Sequence, residues 1–243
     1  AITNSGNLFG AMQFSEACSG AGIQPIIGCL LPLARPEQAS SFGRALAPDG
    51  LPVLAQNEVG YGNLVKLVSK AFLEPEPGEA PHVTWADLEA YSEGLISLTG
   101  GPGGPVGRLL GEGQAPAADA ALRRLEGMFP GRLYVEIMRH GLAVEKRTEP
   151  ALIDMAYAHD LPLVATNDVF FTVASMFEAH EVLLCIADGM TVNNDERRQL
   201  SPEHYFKPPA DMRTLFADLP EAVDNTIVIA RRCAADSLRV CRV

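Results

Sequence analysis

The sequence predicts an α/β fold, read as a barrel of parallel strands with helical crossovers, and two observations carry that expectation. Six short β-rich stretches recur along the chain, each closing on a glycine or a polar group. Amphipathic helical patterns fill most of the gaps between them, and strands alternating with helices imply parallel pairing through crossovers. Six visible strands, with a seventh expected ahead of residue 1, favour a barrel, although periodicity alone is also compatible with an open sheet.

The first stretch, AITNSGN (1–7), opens in mid-pattern like the tail of a strand, so a preceding segment is expected. Asn7 then suits the N-cap of a helix through LFGAMQFSEACSGAG, which ends on glycines as helices commonly do. The next strands are IQPIIGCLLPL (23–33) and LPVLAQN (51–57). In GYGNLVKLVSKAFLE the spacing of Leu64, Leu67, Val68 and Phe72 makes one apolar stripe of a helix. TWADLEAYSE places Thr84 three residues ahead of Asp87, a carboxylate variant of the capping box. GLISLTGG (94–101) is the fourth strand, and the glycine-rich run after it reads as a flexible turn into the helix AADAALRRLEGMFPG. RLYVEIMRHG (132–141) and LPLVATND (161–168) complete the strands, with EPALIDMAYAHD as the helix between them.

Beyond residue 171 the character changes. SMFEAHEVLLCIADGM and EAVDNTIVIARRCA read as helices, while TVNNDERRQLSPEHYFKPPADM between them is polar, bears prolines and has no period. The division expected is a barrel domain over 1–190 and, over 191–243, an extended connection and helix leading towards further domains.

Composition narrows the function classes. The 243 residues are 47% hydrophobic and 20% charged, enough to bury a large core. The net charge of −11 offers no basic footprint for phosphates, so any nucleic-acid contact is local or indirect. Five cysteines, none in a C-x-x-C spacing, read as reduced thiols of a cytoplasmic protein. There is no apolar run of bilayer length and no signal-peptide pattern, so no membrane partner is expected.

Local catalytic signatures are absent too. His82, His140, His159, His180 and His204 never fall within four residues of one another, which excludes H-x-H and H-E-x-x-H zinc patterns. GGPGGPVGRLL lacks the G-K-[ST] ending of a phosphate loop. No G-x-S-x-G occurs, and Cys185 in VLLCIAD reads as a small core hydrophobe. Glu178 and Glu181, beside His180, read as a solvated helix face.

The segment TNSGNLFGAMQFSEACSGAGIQPIIGC resembles the PHP (polymerase and histidinol phosphatase) domain of bacterial replicative DNA polymerase III alpha subunits. There a strand ending T-D-H-G-N runs into N-L-x-G-A-x-x-F and then G-I-x-P-I-I-G. The similarity continues in order through LAQNEVGYGNLVKLVS, GLISLTGGPGG, RLYVEIMRHG, LVATNDVFF, AHEVLLCI and LPEAVDNTIVIARRC. It implies a distorted (β/α)7 TIM-like barrel, N-terminally truncated here. In metal-binding members the strand ends gather ligands for a metal cluster that serves phosphoesterase or 3′–5′ exonuclease chemistry.

Carried over residue by residue, that ligand set is degenerate. The positions of the Asp and His of T-D-H-G-N are Asn4 and Ser5. The Glu after G-C is Leu30, a His expected near Gly50 has no counterpart, and the Cys of S-G-C-L is Gly101. N-D-V-H-Y is NDVFF, so Asp168 keeps a ligating type while Phe170 replaces the His. One carboxylate does not hold a cluster of divalent ions. Phe170 is expected to fill the vacated space, recovering about 1.5–3 kcal/mol of burial.

No catalytic residue, bound metal or cofactor is therefore expected. The resemblance implies a structural domain of a replicase that supports the polymerase domains of the same subunit and docks a separate proofreading exonuclease, meeting DNA only through the full replicase. The alternative is a residual metal-dependent phosphoesterase or exonuclease built from Asp168 with Glu136, His140 or His180.

Overall fold

Short apolar strands with strict side-chain alternation give the sheet two faces to bury. The computed structural model describes residues 1–35, 46–76, 78–191 and 200–233. All six β-rich stretches form strands: β1 (Ile2–Ser5), β2 (Ile27–Leu33), β3 (Asp49–Ala55), β4 (Leu95–Leu98), β5 (Leu133–Met138) and β6 (Leu163–Thr166). They lie side by side in chain order as a curled half-barrel. The expectation of parallel strands throughout is corrected at β3, which runs antiparallel to both β2 and β4. Leu33 at the end of β2 pairs directly with Asp49 at the start of β3, so the two strands run as antiparallel neighbours.

Helices α1 (Ala11–Gly20), α2 (Glu58–Leu73), α3 (Trp85–Ala90), α4 (Pro105–Gly111), α5 (Ala115–Met128) and α6 (Ala143–Ala158) occupy the gaps between strands. Most of the core lies between the convex face and these helices, with Val53, Leu95, Val135 and Ala165 of the sheet packed with Leu64, Leu67, Leu122 and Leu152. A smaller cluster on the concave face joins Leu54, Ile96, Leu98, Tyr134 and Val164. Among the described residues, no helix is long and apolar enough to cross a membrane.

Several local expectations shift. Helix α1 starts four residues after Asn7, whose Oδ1 instead accepts the Phe9 amide at 3.1 Å in a turn. On α2 the inward stripe is Gly60, Leu64, Leu67 and Ala71, and Phe72 is exposed, because a 3.6-residue period favours i+7 over i+8. Helix α6 begins six residues earlier than Glu149 and runs through Pro150, which is tolerated on the solvent side where water can bond the i−4 carbonyl. The glycine-rich run is closely packed: a Cβ on Gly104 would lie 1.9 Å from the Thr99 carbonyl oxygen.

Past β6 come α7 (Phe177–Asp188), α8 (Pro209–Leu215) and α9 (Pro220–Arg232). Residues 192–199 of the polar stretch lie outside the described residues, but residues 200–208 return across the strand ends and α8 follows. Arg139, at the end of β5, ties the layers together. It pairs with Glu149 of α6 at 2.6 Å and Asp218 at 2.6 Å, and its guanidinium lies over the Phe216 ring. Helix α9 runs beside β6, where Asn225 donates to the Leu163 carbonyl at 2.8 Å, and its Ile229 with Cys233 just beyond its end completes the concave cluster.

Candidate functional site

The mouth of the half-barrel is formed by the C-terminal ends of β1, β2, β4, β5 and β6. Because β3 is reversed, its start also lies there, which brings Gly50, the second residue of that strand, to the mouth. Register sets Ser5, Leu30 and Pro52 abreast on three adjacent strands. A side chain at Gly50 would meet Leu30 Cδ1 at 3.0 Å. Asn4, one residue from Ser5, belongs to the opposite face and donates to Asn7 Oδ1 at 3.4 Å. Gly101 has φ +50°, and a Cβ there would lie 3.1 Å from Met138 Sδ, so methionine already occupies that space.

The polar part of the mouth sits on β5 and β6. Glu136 is buried, its amide donates to Thr99 Oγ1 at 3.0 Å, and its Oε1 accepts from Thr166 Oγ1 at 2.7 Å. Its Oε2 is buried without a hydrogen bond of ordinary length. Burial pushes the Glu136 carboxyl up to about 7; the Thr166 bond opposes this and the nearby Asp168 charge adds to it. Asp168 itself is exposed, and its amide donates to His140 Nε2 at 3.2 Å.

His140 is held from all sides. Its Nε2 accepts, so the hydrogen-bond network assigns the proton to Nδ1, which donates to Glu145 Oε1 at 2.7 Å. Glu145 Oε2 accepts the His140 amide at 2.7 Å and the Leu142 amide at 3.1 Å. Burial would raise the Glu145 carboxyl, but these bonds from His140 and Leu142 hold it below the ordinary range. The His204 ring stacks on His140 with centroids 4.0 Å apart. Burial, then the adjacent His140, brings His204 down to about 4. Ser201 Oγ donates to the His140 carbonyl at 2.7 Å, so the segment 200–207 is stitched over the mouth.

The two phenylalanines of NDVFF differ in burial. Phe170 is half-buried, tilted against His180 and His204 at 5.6 and 5.7 Å. The buried ring is Phe171, which meets Phe177 and His180 and forms a β-bridge with Tyr205. Glu178 is exposed as expected, whereas Glu181 is buried, so that carboxylate pair does not form a solvated face.

Thus the structure brings Glu136, Asp168 and His140 to one corner, and places His180 beyond the phenylalanine rings. Among the described residues, no group of three or more His, Cys, Asp or Glu side chains is arranged to hold a metal ion. The space beside Glu136, Pro102 and Thr148 amounts to about 10 Å³, room for one water at most. A groove of about 660 Å³ lies at the opposite end of the strands, lined by Glu126, Tyr134, His159 and Arg232 among others. Sequence reasoning missed His204, Glu145 and Thr166; Leu142 has no side-chain acceptor, so no capping-box motif marks Glu145, although its Oε2 accepts the Leu142 amide. The four described cysteines, Cys18, Cys29, Cys185 and Cys233, are free thiols.

The family model described as PHP domain matches residues 1–140. DNA polymerase III subunit alpha of Caulobacter vibrioides is 50% identical over 233 residues, covering 96% of this chain and 20% of the relative. The proteins of the same name from Escherichia coli K12 and Vibrio cholerae are 41% and 39% identical, each over 234 residues, 96% of this chain and 20% of the relative. The chain therefore spans about one fifth of the length of the curated relatives it matches.

Proposed function

This chain belongs to the PHP domain family, and from that premise we propose that it is the N-terminal, catalytically silent domain of a bacterial replicase alpha subunit. In that role it braces the polymerase domains of the same subunit, offers a docking surface to a separate proofreading exonuclease, and meets DNA only through the assembled replicase. The observation that carries this reading is identity of 37–50% to DNA polymerase III alpha subunits across 96% of the chain. The acidic balance supports a scaffold over a duplex-binding surface. A cytoplasmic location accords with four free thiols among the described residues. In the longer subunit the half-barrel would belong to a distorted (β/α)7 barrel over residues 1–190, with residues 191–243 on the path towards the polymerase domains.

The residues present do not fit the metal cluster of metal-binding relatives. Ser5, Leu30, Gly101 and Phe170 stand at four of its positions, Met138 fills the space at Gly101, and the Glu136 carboxylate is engaged by Thr166. One observation favours the second reading, residual hydrolysis by Asp168 with Glu136 or His140. A carboxyl brought to about 7 beside a second carboxylate is the kind of group that serves as a general acid.

Metal analysis separates the two. The full subunit, purified without chelator and equilibrated with manganese and zinc, should hold less than about 0.1 ion per chain attributable to this domain, taken as the difference from a subunit lacking residues 1–243. A stoichiometric difference, lost in Asp168→Ala, would establish the hydrolytic reading instead.

A further inference from the structure

Helix α7 is built inside out. Its buried side is mixed and partly polar: Glu181 and Cys185 are each 5% exposed, with His180 against the rings of Phe170 and Phe171. Its outward side carries Met176 just ahead of the helix, then Ala179, Val182, Leu183 and Ile186, then Met190 just beyond it. Positions 179, 182, 183, 186 and 190 follow the i, i+3, i+4, i+7, i+11 spacing of a core-facing stripe. Yet Leu183 is 63% and Ile186 71% exposed. A solvated helix face would carry charge here, and exposed apolar stripes of this kind mark interaction surfaces.

We propose that this outward stripe of α7 is the seat of another part of the same long polypeptide, packed helix-against-layer so that α7 is buried on both sides. The inference rests on the reading of the chain as one domain of a replicase subunit. Two observations choose the occupant. Relatives are about five times the length of this chain, so most of their polypeptide lies outside it and is covalently held nearby. A purely apolar stripe also suits a permanent contact, which resembles a core cut in two, better than a transient one. A second copy is disfavoured by the net charge of −11 that each chain would bring.

The test uses the full subunit with a photo-reactive benzoylphenylalanine placed at Leu183, and separately at Val65, an exposed apolar position on α2, as control. Peptide mapping should find Leu183 cross-linked within the same polypeptide to residues outside the present chain, at least tenfold above Val65. Cross-links to a second copy or to a separate protein, or a yield equal to the control, would overturn the assignment. Polymerase assays on a subunit lacking residues 1–243 test the underlying reading independently. Activity lost on deletion with no Leu183 cross-link sinks only the assignment of α7. Activity kept on deletion with the cross-link present sinks the bracing role and leaves α7 as the contact.

Discussion

Glu136 and His204 carry opposite pH dependences, each set by its burial at the mouth of the sheet. His204 falls to about 4 from an ordinary 6.5, so the fold prefers it neutral; its contribution is complete above pH 6.5 and is lost as pH falls towards 4. Glu136 rises to about 7 from 4.5, so its contribution is complete below pH 4.5 and is lost as pH rises towards 7. Between pH 4.5 and 6.5 the two slopes oppose. Glu136→Gln keeps an acceptor for Thr166 but removes the ionisation. Denaturant melts across that window should therefore show the stability advantage of the wild type over Glu136→Gln shrinking steadily with rising pH. An advantage that stays constant would mean that Glu136 does not ionise there. Sequence inspection reached Glu136, Asp168 and His140 because they sit at strand ends. It did not reach His204, which lies in a stretch with no period and is joined to His140 only by the return of residues 200–207.

At the level of elements, what was legible was spacing. Thr84 and Asp87 stand three apart, and both reciprocal bonds form: the Asp87 amide donates to Thr84 Oγ1 at 3.1 Å and the Thr84 amide to Asp87 Oδ2 at 3.0 Å. Thr84→Ala should cost about 1 kcal/mol, measurable as a lower denaturation midpoint, with Thr84→Ser recovering most of it. Spacing says which residues share a face; it does not say which face turns inward. That is why the spacing places Glu181 towards solvent although it is Val182, Leu183 and Ile186 that point outward. The same limit explains Phe72, where an apolar residue at i+8 fell just outside the stripe that Ala71 occupies.

For the whole molecule, the presence of six strands was readable in the sequence, whereas their order in the sheet and the direction of β3 were not. Side-chain alternation has no polarity, so a reversed strand shows the same pattern; only the pairing of Leu33 with Asp49 reveals it. The other feature hidden from local pattern is the cover on β6. Asn225 and the Ile229 face of α9 close the β6 side of the sheet, work that an adjacent strand would otherwise do. A chain stopped at Asp218 should keep its strands but expose that edge, and light scattering should show it associating at concentrations where the chain with α9 does not. Time enters here as well. On the ribosome, α9 emerges roughly sixty residues after β6, on the order of 3–12 s later at ordinary synthesis rates. For that interval the nascent sheet has a bare edge and an unfilled hollow, and this is the moment at which a chaperone would find the protein most vulnerable.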